Sequence, residues 1–197
     1  MNANHTTDQE LLSEIINGSN AALEMLIKRH ERKVYTYILM MVRKPHLAED
    51  LMQETFVKVI RSLKEGRYSE NNRFQSWLMR IAHNLVIDHF RHNKQYREVS
   101  NEDSPVDLFS SPRFAEMNVE QAMVFDRVLD EVRMLIDKLP DDQKEVIMLR
   151  YYGDLSFKEI AELTNVSINT ALGRMRYALI NLRKTVKEKN LSLEFGF

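Results

Sequence analysis

Apolar residues recur three and four positions apart along most of the chain, the spacing that lines up one face of an α-helix. Leu11, Leu12, Ile15 and Ile16 make a first short run, with Thr7 or Asp8 placed to cap it and Asn17-Gly18 placed to stop it. A longer run over 20–42 carries Ala22, Leu23, Leu26, Ile27, His30, Val34, Tyr37, Ile38 and Met41, until Pro45 interrupts it. Residues 47–63 repeat Leu47, Leu51, Phe56, Val59, Ile60 and Leu63. After a polar loop at 64–73, a further helix over 74–90 repeats Phe74, Trp77, Leu78, Ile81, Ala82, Leu85, Val86 and Phe90. Another helix is predicted over 119–138, stopped by Leu139-Pro140, and one capped by Asp141 or Asp142 that ends at Gly153. No segment alternates apolar and polar for long, as a half-buried strand would. The expected fold is all-α.

The segment 99–118 breaks the periodicity. It holds two of the four prolines, four serines and the acids Glu102, Asp103, Asp107 and Glu116. It reads as a linker, leaving two small helical domains at 1–98 and 119–197.

The densest local signal lies near the C-terminus. Ser156-Phe157-Lys158-Glu159 is a capping box that opens a short helix. Thr164-Asn165-Val166 is a three-residue turn, in which Asn165 can take a left-handed conformation. Ser167 caps the next helix, and Ala161 is small enough to let the two helices cross closely. On a helical wheel centred on Met175, an apolar stripe gathers Ile168, Ala171, Leu172, Ala178, Leu179 and Leu182. Opposite stand Asn169, Thr170, Gly173, Arg174, Arg176 and Tyr177, with Arg183, Lys184 and Lys187 extending the basic side. Amide, hydroxyl and guanidinium groups at the start of the second helix of such a motif are what reading a DNA major groove requires. The alternative is a plain amphipathic helical hairpin with a solvated basic face; cap, small residue, three-residue turn, cap and basic exposed face together favour DNA binding over it.

Composition narrows the classes. The chain has 197 residues, 44% hydrophobic and 29% charged, a globular balance. Five glycines and four prolines are few for a turn-rich β architecture. With no cysteine, disulfides, thiolate zinc sites and a cysteine nucleophile are excluded. No run of about 18 apolar residues and no basic-then-apolar leader is visible, so the expected location is cytoplasmic. The net charge of −1 is uninformative, but its distribution is not: residues 1–98 carry +3, 99–135 carry −5 and 136–197 carry +1.

In the helix from Phe74, Arg80, Asn84, Asp88 and Arg91 fall three or four apart on the polar side, with His92, Lys94 and Arg97 beyond. Tyr68, Phe74 and Trp77 lie near them, and aromatics beside cations are how proteins hold unpaired bases. Trp77 itself lies on the apolar face and is expected in the core. His83, His89 and His92 lack a carboxylate or thiolate to complete a metal site. No nucleophile–base pair, metal set or phosphate-cradling glycine loop is present, so no enzyme, cofactor, metal or small-molecule substrate is expected.

Three segments carry a family resemblance. Residues 48–60, AEDLMQETFVKVI, resemble the conserved-region-2 helix of bacterial sigma factors. Residues 73–94, RFQSWLMRIAHNLVIDHFRHNK, resemble the adjoining promoter-melting helix, and 139–184 resemble region 4 with its helix-turn-helix. The order and the short length are similar to those of a group 4, extracytoplasmic-function (ECF) sigma factor. The resemblance implies a promoter-specificity subunit with core RNA polymerase and promoter DNA as partners. It implies that Asp50, Gln53, Glu54 and Arg61 dock on the β′ clamp helices. Tyr68 and Asn84 would line a pocket for a base flipped from the −10 element, with Arg80, Arg91 and Lys94 on the strand backbone. Asn169, Thr170, Arg174, Arg176 and Tyr177 would read the −35 element. Many members carry a basic residue near position 172, where this chain has Ala171-Leu172-Gly173 before Arg174. An anti-sigma protein that occludes both DNA-binding domains is a further partner the resemblance allows. The rival reading is a stand-alone helix-turn-helix regulator with an N-terminal sensor or dimerisation domain; a helical adaptor without a DNA role is a second.

Overall fold

The computed structural model describes residues 6–69, 73–97 and 134–188, the last five of the middle stretch by backbone alone. The predicted linker, the Lys94 side chain, most of the helix expected over 119–138 and both tips lie outside the described residues. The described helices are α1 (Asp8–Ile16), α2 (Asn20–Val42), α3 (Pro45–Lys64), α4 (Phe74–Arg97), α5 (Asp141–Tyr151), α6 (Phe157–Leu163) and α7 (Ile168–Glu188). Residues 134–137 are also helical, and no strand occurs among the described residues. The chain divides into two compact units, α1–α4 in the first and α5–α7 in the second.

In the first unit the helix ends are set by short-range chemistry. Thr7 caps α1 reciprocally with Glu10: the Glu10 N–H donates to the Thr7 hydroxyl at 3.3 Å and the Thr7 N–H to the Glu10 carboxylate at 2.6 Å. Gly18, at φ +91°, ends the helix after Asn17. Ser19 then caps α2, its hydroxyl accepting from the Ala22 N–H at 3.2 Å. α2 stops at Arg43 in a left-handed turn, and Pro45 takes the first position of α3, where its missing N–H costs nothing. Thus Pro45 starts a helix as well as ending one.

α2, α3 and α4 pack against one another, and α1 lies on α2. Their shared core holds Leu26, Val34, Tyr37, Ile38, Ala48, Val59, Leu78, Met79, Ala82 and Val86, each almost wholly removed from water. Asp8 ties α1 to α2, its carboxylate accepting from Arg29 at 2.7 Å and facing His30 Nε2 at 2.8 Å. Burial pushes this carboxyl up, but the hydrogen bonds and charges of His30 and Arg29 outweigh it and leave the group below its ordinary range.

In the second unit α7 packs against both α5 and α6. Val146, Ile147, Met148 and Leu149 are all buried, so no side of this stretch faces water. Lys144 is buried too, paired with Asp137. Asp141 and Asp142 occupy the first turn, where they favour the helix dipole, rather than the cap position before it. α5 ends at Tyr151, and the left-handed residue beyond is Asp154 (φ +52°) rather than Gly153.

The capping box of α6 forms as its sequence requires: the Ser156 N–H donates to the Glu159 carboxylate at 2.8 Å, and the Glu159 N–H to the Ser156 hydroxyl at 3.3 Å. Asn165 adopts φ +54° in the turn, and Ser167 accepts from the Thr170 N–H at 3.1 Å to open α7. The apolar stripe of α7 is only partly covered. Ala171 and Ala178 are buried, whereas Ile168, Leu172 and Leu179 stay 46%, 44% and 45% exposed. Both α5 and α6 pack on α7, over the side that carries Ala171 and Ala178, and the other edge of the stripe stays in water.

Candidate nucleic-acid interface

In the first unit the core side of α4 fixes which side chains face out. Leu78, Met79, Ala82, Leu85 and Val86 are buried. Arg80 is half-buried, and Asn84 and Arg91 are exposed. From Arg80 to Arg91 the helix advances about 16 Å. Arg91 pairs with Asp88 at 3.4 Å, both exposed, an arrangement that holds the guanidinium weakly and leaves it exchangeable for a phosphate. On the inner side the Tyr37 hydroxyl meets His83 Nδ1 at 2.8 Å, both buried. Burial lowers the His83 imidazole to about 4.

Tyr68 packs into a cluster of rings. Its centroid lies 4.9 Å from that of Trp77 and 5.9 Å from that of Phe74, in both cases edge-on. Phe74 is a further 5.8 Å from Trp77 and 5.2 Å from His30. Tyr68 and Trp77 are each half-buried, so Trp77 is not sealed in the core as its place in the apolar run suggests. It braces the loop tyrosine instead. The structure therefore gathers Tyr68 with the rings at the head of α4, while Asn84 lies further along that helix.

On α3, Leu51, Thr55, Phe56 and Val59 are buried, whereas Asp50, Gln53, Glu54 and Arg61 are exposed. Glu54 pairs with Lys58 at 3.2 Å and Arg61 with Glu65 at 3.7 Å, both surface pairs. Val57 is 64% exposed on the same side, spaced by three, four and seven residues from Glu54, Gln53 and Asp50. It borders a shallow depression with Ile60, Arg61, Lys64 and Glu65. Sequence reasoning missed Val57, although its departure from the stripe of Leu51, Phe56, Val59 and Leu63 was the available signal.

In the second unit α7 presents Asn169, Thr170, Arg176 and Tyr177 to solvent. The Thr170 and Ser167 hydroxyls are 2.8 Å apart, which fixes the Thr170 rotamer while leaving a hydroxyl lone pair to spare. A Cβ built on Gly173 meets nothing within 4 Å, so packing does not demand glycine there. Arg174 differs from the others: its Nε lies 3.3 Å from Asp142 Oδ2 at the start of α5, and its side chain is one-quarter exposed. The wheel placed it among the outward residues; the structure puts it at their margin.

The comparisons with known proteins match these two units. Residues 26–96 match the family described as Sigma-70 region 2, and residues 129–178 match Sigma-70, region 4. The RNA polymerase sigma factor CarQ of Myxococcus xanthus is 33% identical over 177 residues, covering 89% of this chain and 95% of that protein. The ECF RNA polymerase sigma factor SigW of Bacillus subtilis is 28% identical over 180 residues, covering 90% and 95%. Among solved structures, CnrH in complex with the cytosolic domain of CnrY aligns over 93% of this chain and 99% of that one, with a TM-score of 0.59 and 21% identity. RpoE in complex with the anti-sigma factor NepR from Bartonella quintana aligns over 83% and 96%, with a TM-score of 0.59 and 18% identity. At those identities the two structures establish the fold alone.

Proposed function

Since this chain belongs to the extracytoplasmic-function family of RNA polymerase sigma factors, we propose how its own residues divide the work of starting transcription. A sigma factor joins core RNA polymerase and directs it to promoters; it is a DNA-binding initiation factor and not in itself an enzyme. The division follows the units. α7 enters the major groove of the −35 element, with Asn169, Thr170, Arg174, Arg176 and Tyr177 facing base edges and phosphates. α4 and the loop before it hold the melted −10 strand. Tyr68 and Asn84 receive an unstacked base, and Arg80, Arg91 and Lys94 track the backbone. Unstacking costs on the order of a few kcal/mol, offset by the aromatic contact and the adjacent cations. The exposed side of α3, with Asp50, Gln53, Glu54 and Arg61, meets the polymerase.

One observation carries this reading: α4 and α7, on separate compact units, each present hydrogen-bonding side chains to solvent, Asn84 and Arg91 on the one and Asn169, Thr170, Arg176 and Tyr177 on the other. A stand-alone regulator would make the first unit a sensor or dimerisation domain, a role that gives no reason for the exposed Asn84 and Arg91 along α4. No described helix is long and apolar enough to cross a membrane, and the proposed site of action is the cytoplasm, where polymerase and promoter meet. The solved relatives held by CnrY and by an anti-sigma factor support an anti-sigma protein as a further partner.

Run-off transcription on a promoter mapped from transcript starts after overexpression tests the reading. Transcript is expected only when core polymerase and this chain are both present; equal transcript from core alone refutes it. Tyr68→Ala should abolish promoter opening while leaving core binding intact. Equal loss of both activities contradicts the base-holding role.

A further inference from the structure

Two carboxylates open α5, Asp141 and Asp142, and both favour the dipole of that helix. Of the two, Asp142 pairs with α7, its Oδ2 lying 3.3 Å from Nε of Arg174. The two residues are far apart in sequence, so no local rule pairs them. Glu145, one turn along α5, also feels Arg174: burial pushes its carboxyl up and the guanidinium pulls the other way. Arg174 is therefore set against the acidic start of α5, while Arg176 two residues on is exposed. A guanidinium carries five N–H donors in a rigid plane, and the contact to Asp142 is made through Nε. The outer pair of nitrogens is the fork that meets a guanine edge or a phosphate bidentately.

We propose that Asp142 is a positioning residue for promoter recognition, holding the Arg174 guanidinium at the margin of the reading face before DNA arrives. This rests on the reading of Arg174 as a −35 contact. A long, flexible side chain loses rotamer freedom when it binds, and an arginine already oriented by a carboxylate loses less. The same carboxylate repels phosphate. Asp142 thus has two effects of opposite sign, and they separate experimentally. Charge repulsion alone predicts that removing Asp142 tightens binding to every duplex alike. Positioning predicts that discrimination at one base pair falls while affinity for unrelated duplex holds or rises.

The test uses holoenzyme reconstituted with full-length chain, a promoter mapped as above, and a panel in which each −35 base pair is replaced in turn. Asp142→Asn is expected to reduce discrimination about 3- to 10-fold at the base pair that Arg174→Ala also affects, and at no other. Asp142→Glu restores much of it. Asp141→Asn, which alters the helix-end charge equally, leaves it unchanged. In the Arg174→Ala background Asp142→Asn has no further effect on discrimination. Intact discrimination in Asp142→Asn, with Arg174→Ala impaired, overturns the positioning role alone. Intact discrimination in Arg174→Ala overturns the base contact and the proposal with it. Equal loss at every base pair in Asp142→Asn also overturns it, as the sign of a disturbed helix.

Discussion

Acid should weaken the first unit through one buried side chain, His83. It is 2% exposed, a residue of α4 turned toward α2 with its Nδ1 against the Tyr37 hydroxyl at 2.8 Å. Burial lowers its imidazole from 6.5 to about 4. Between those values the unfolded chain binds a proton there and the folded chain does not. Stability then rises with pH across the window, and the contribution is complete above pH 6.5 and lost as pH falls toward 4. The gap corresponds to about 3 kcal/mol in all. His83→Gln keeps a polar partner for Tyr37 and removes the titration. The sole tryptophan, Trp77, sits on α4 and reports this unit in urea unfolding followed by fluorescence. Between pH 7.5 and 4.5 the wild type should lose about 2–3 kcal/mol more than His83→Gln. The other titrating groups are common to both proteins and cancel in the difference. Parallel pH profiles for the two proteins would show that the folded state takes up the proton without cost and would refute the reasoning.

Three further outcomes are expected. Gly173→Ala should stabilise the second unit by about 1 kcal/mol in a denaturation curve, since helix propensity improves and the added Cβ meets nothing. The same change should weaken −35 duplex binding, and undiminished binding would show that no backbone approaches DNA there. Ser156→Ala removes the hydroxyl half of the α6 capping box and should cost about 1 kcal/mol; an unchanged thermal midpoint contradicts that share. Val57→Asp should leave the Trp77 fluorescence and the unfolding curve unaltered, because the side chain is largely in water, while lowering affinity for core polymerase in a pull-down; undiminished affinity removes Val57 from that contact.

What could be read before folding was whatever depends on neighbours three or four residues away. Ser156 with Glu159, Asn165 in the turn and Ser167 before α7 are all local, and all stand in the structure as their chemistry dictates. The outward placement of Asp50, Gln53 and Glu54 follows in the same way from the burial of Leu51, Phe56 and Val59. What escaped depends on contacts distant in the chain. Periodicity shows that α7 is amphipathic but not that α5 and α6 pack over only one edge of its stripe and leave Leu172 and Leu179 in water. Nothing near His83 in sequence announces Tyr37, and nothing near Arg174 announces Asp142. Trp77 was misplaced for a similar reason: its partner Tyr68 comes from the preceding loop, so its ring stays at the rim of the core.

The central claim is that binding by this chain opens a promoter when, and only when, it is mounted on polymerase. A fluorescent adenine analogue placed in the −10 strand measures opening directly. Addition of core polymerase and the chain together should raise its fluorescence as the base unstacks. Each alone should not, and Tyr68→Ala should bind the −35 duplex without the rise. A chain that engages duplex DNA equally well in the absence of polymerase, and adds no fluorescence in its presence, contradicts the account.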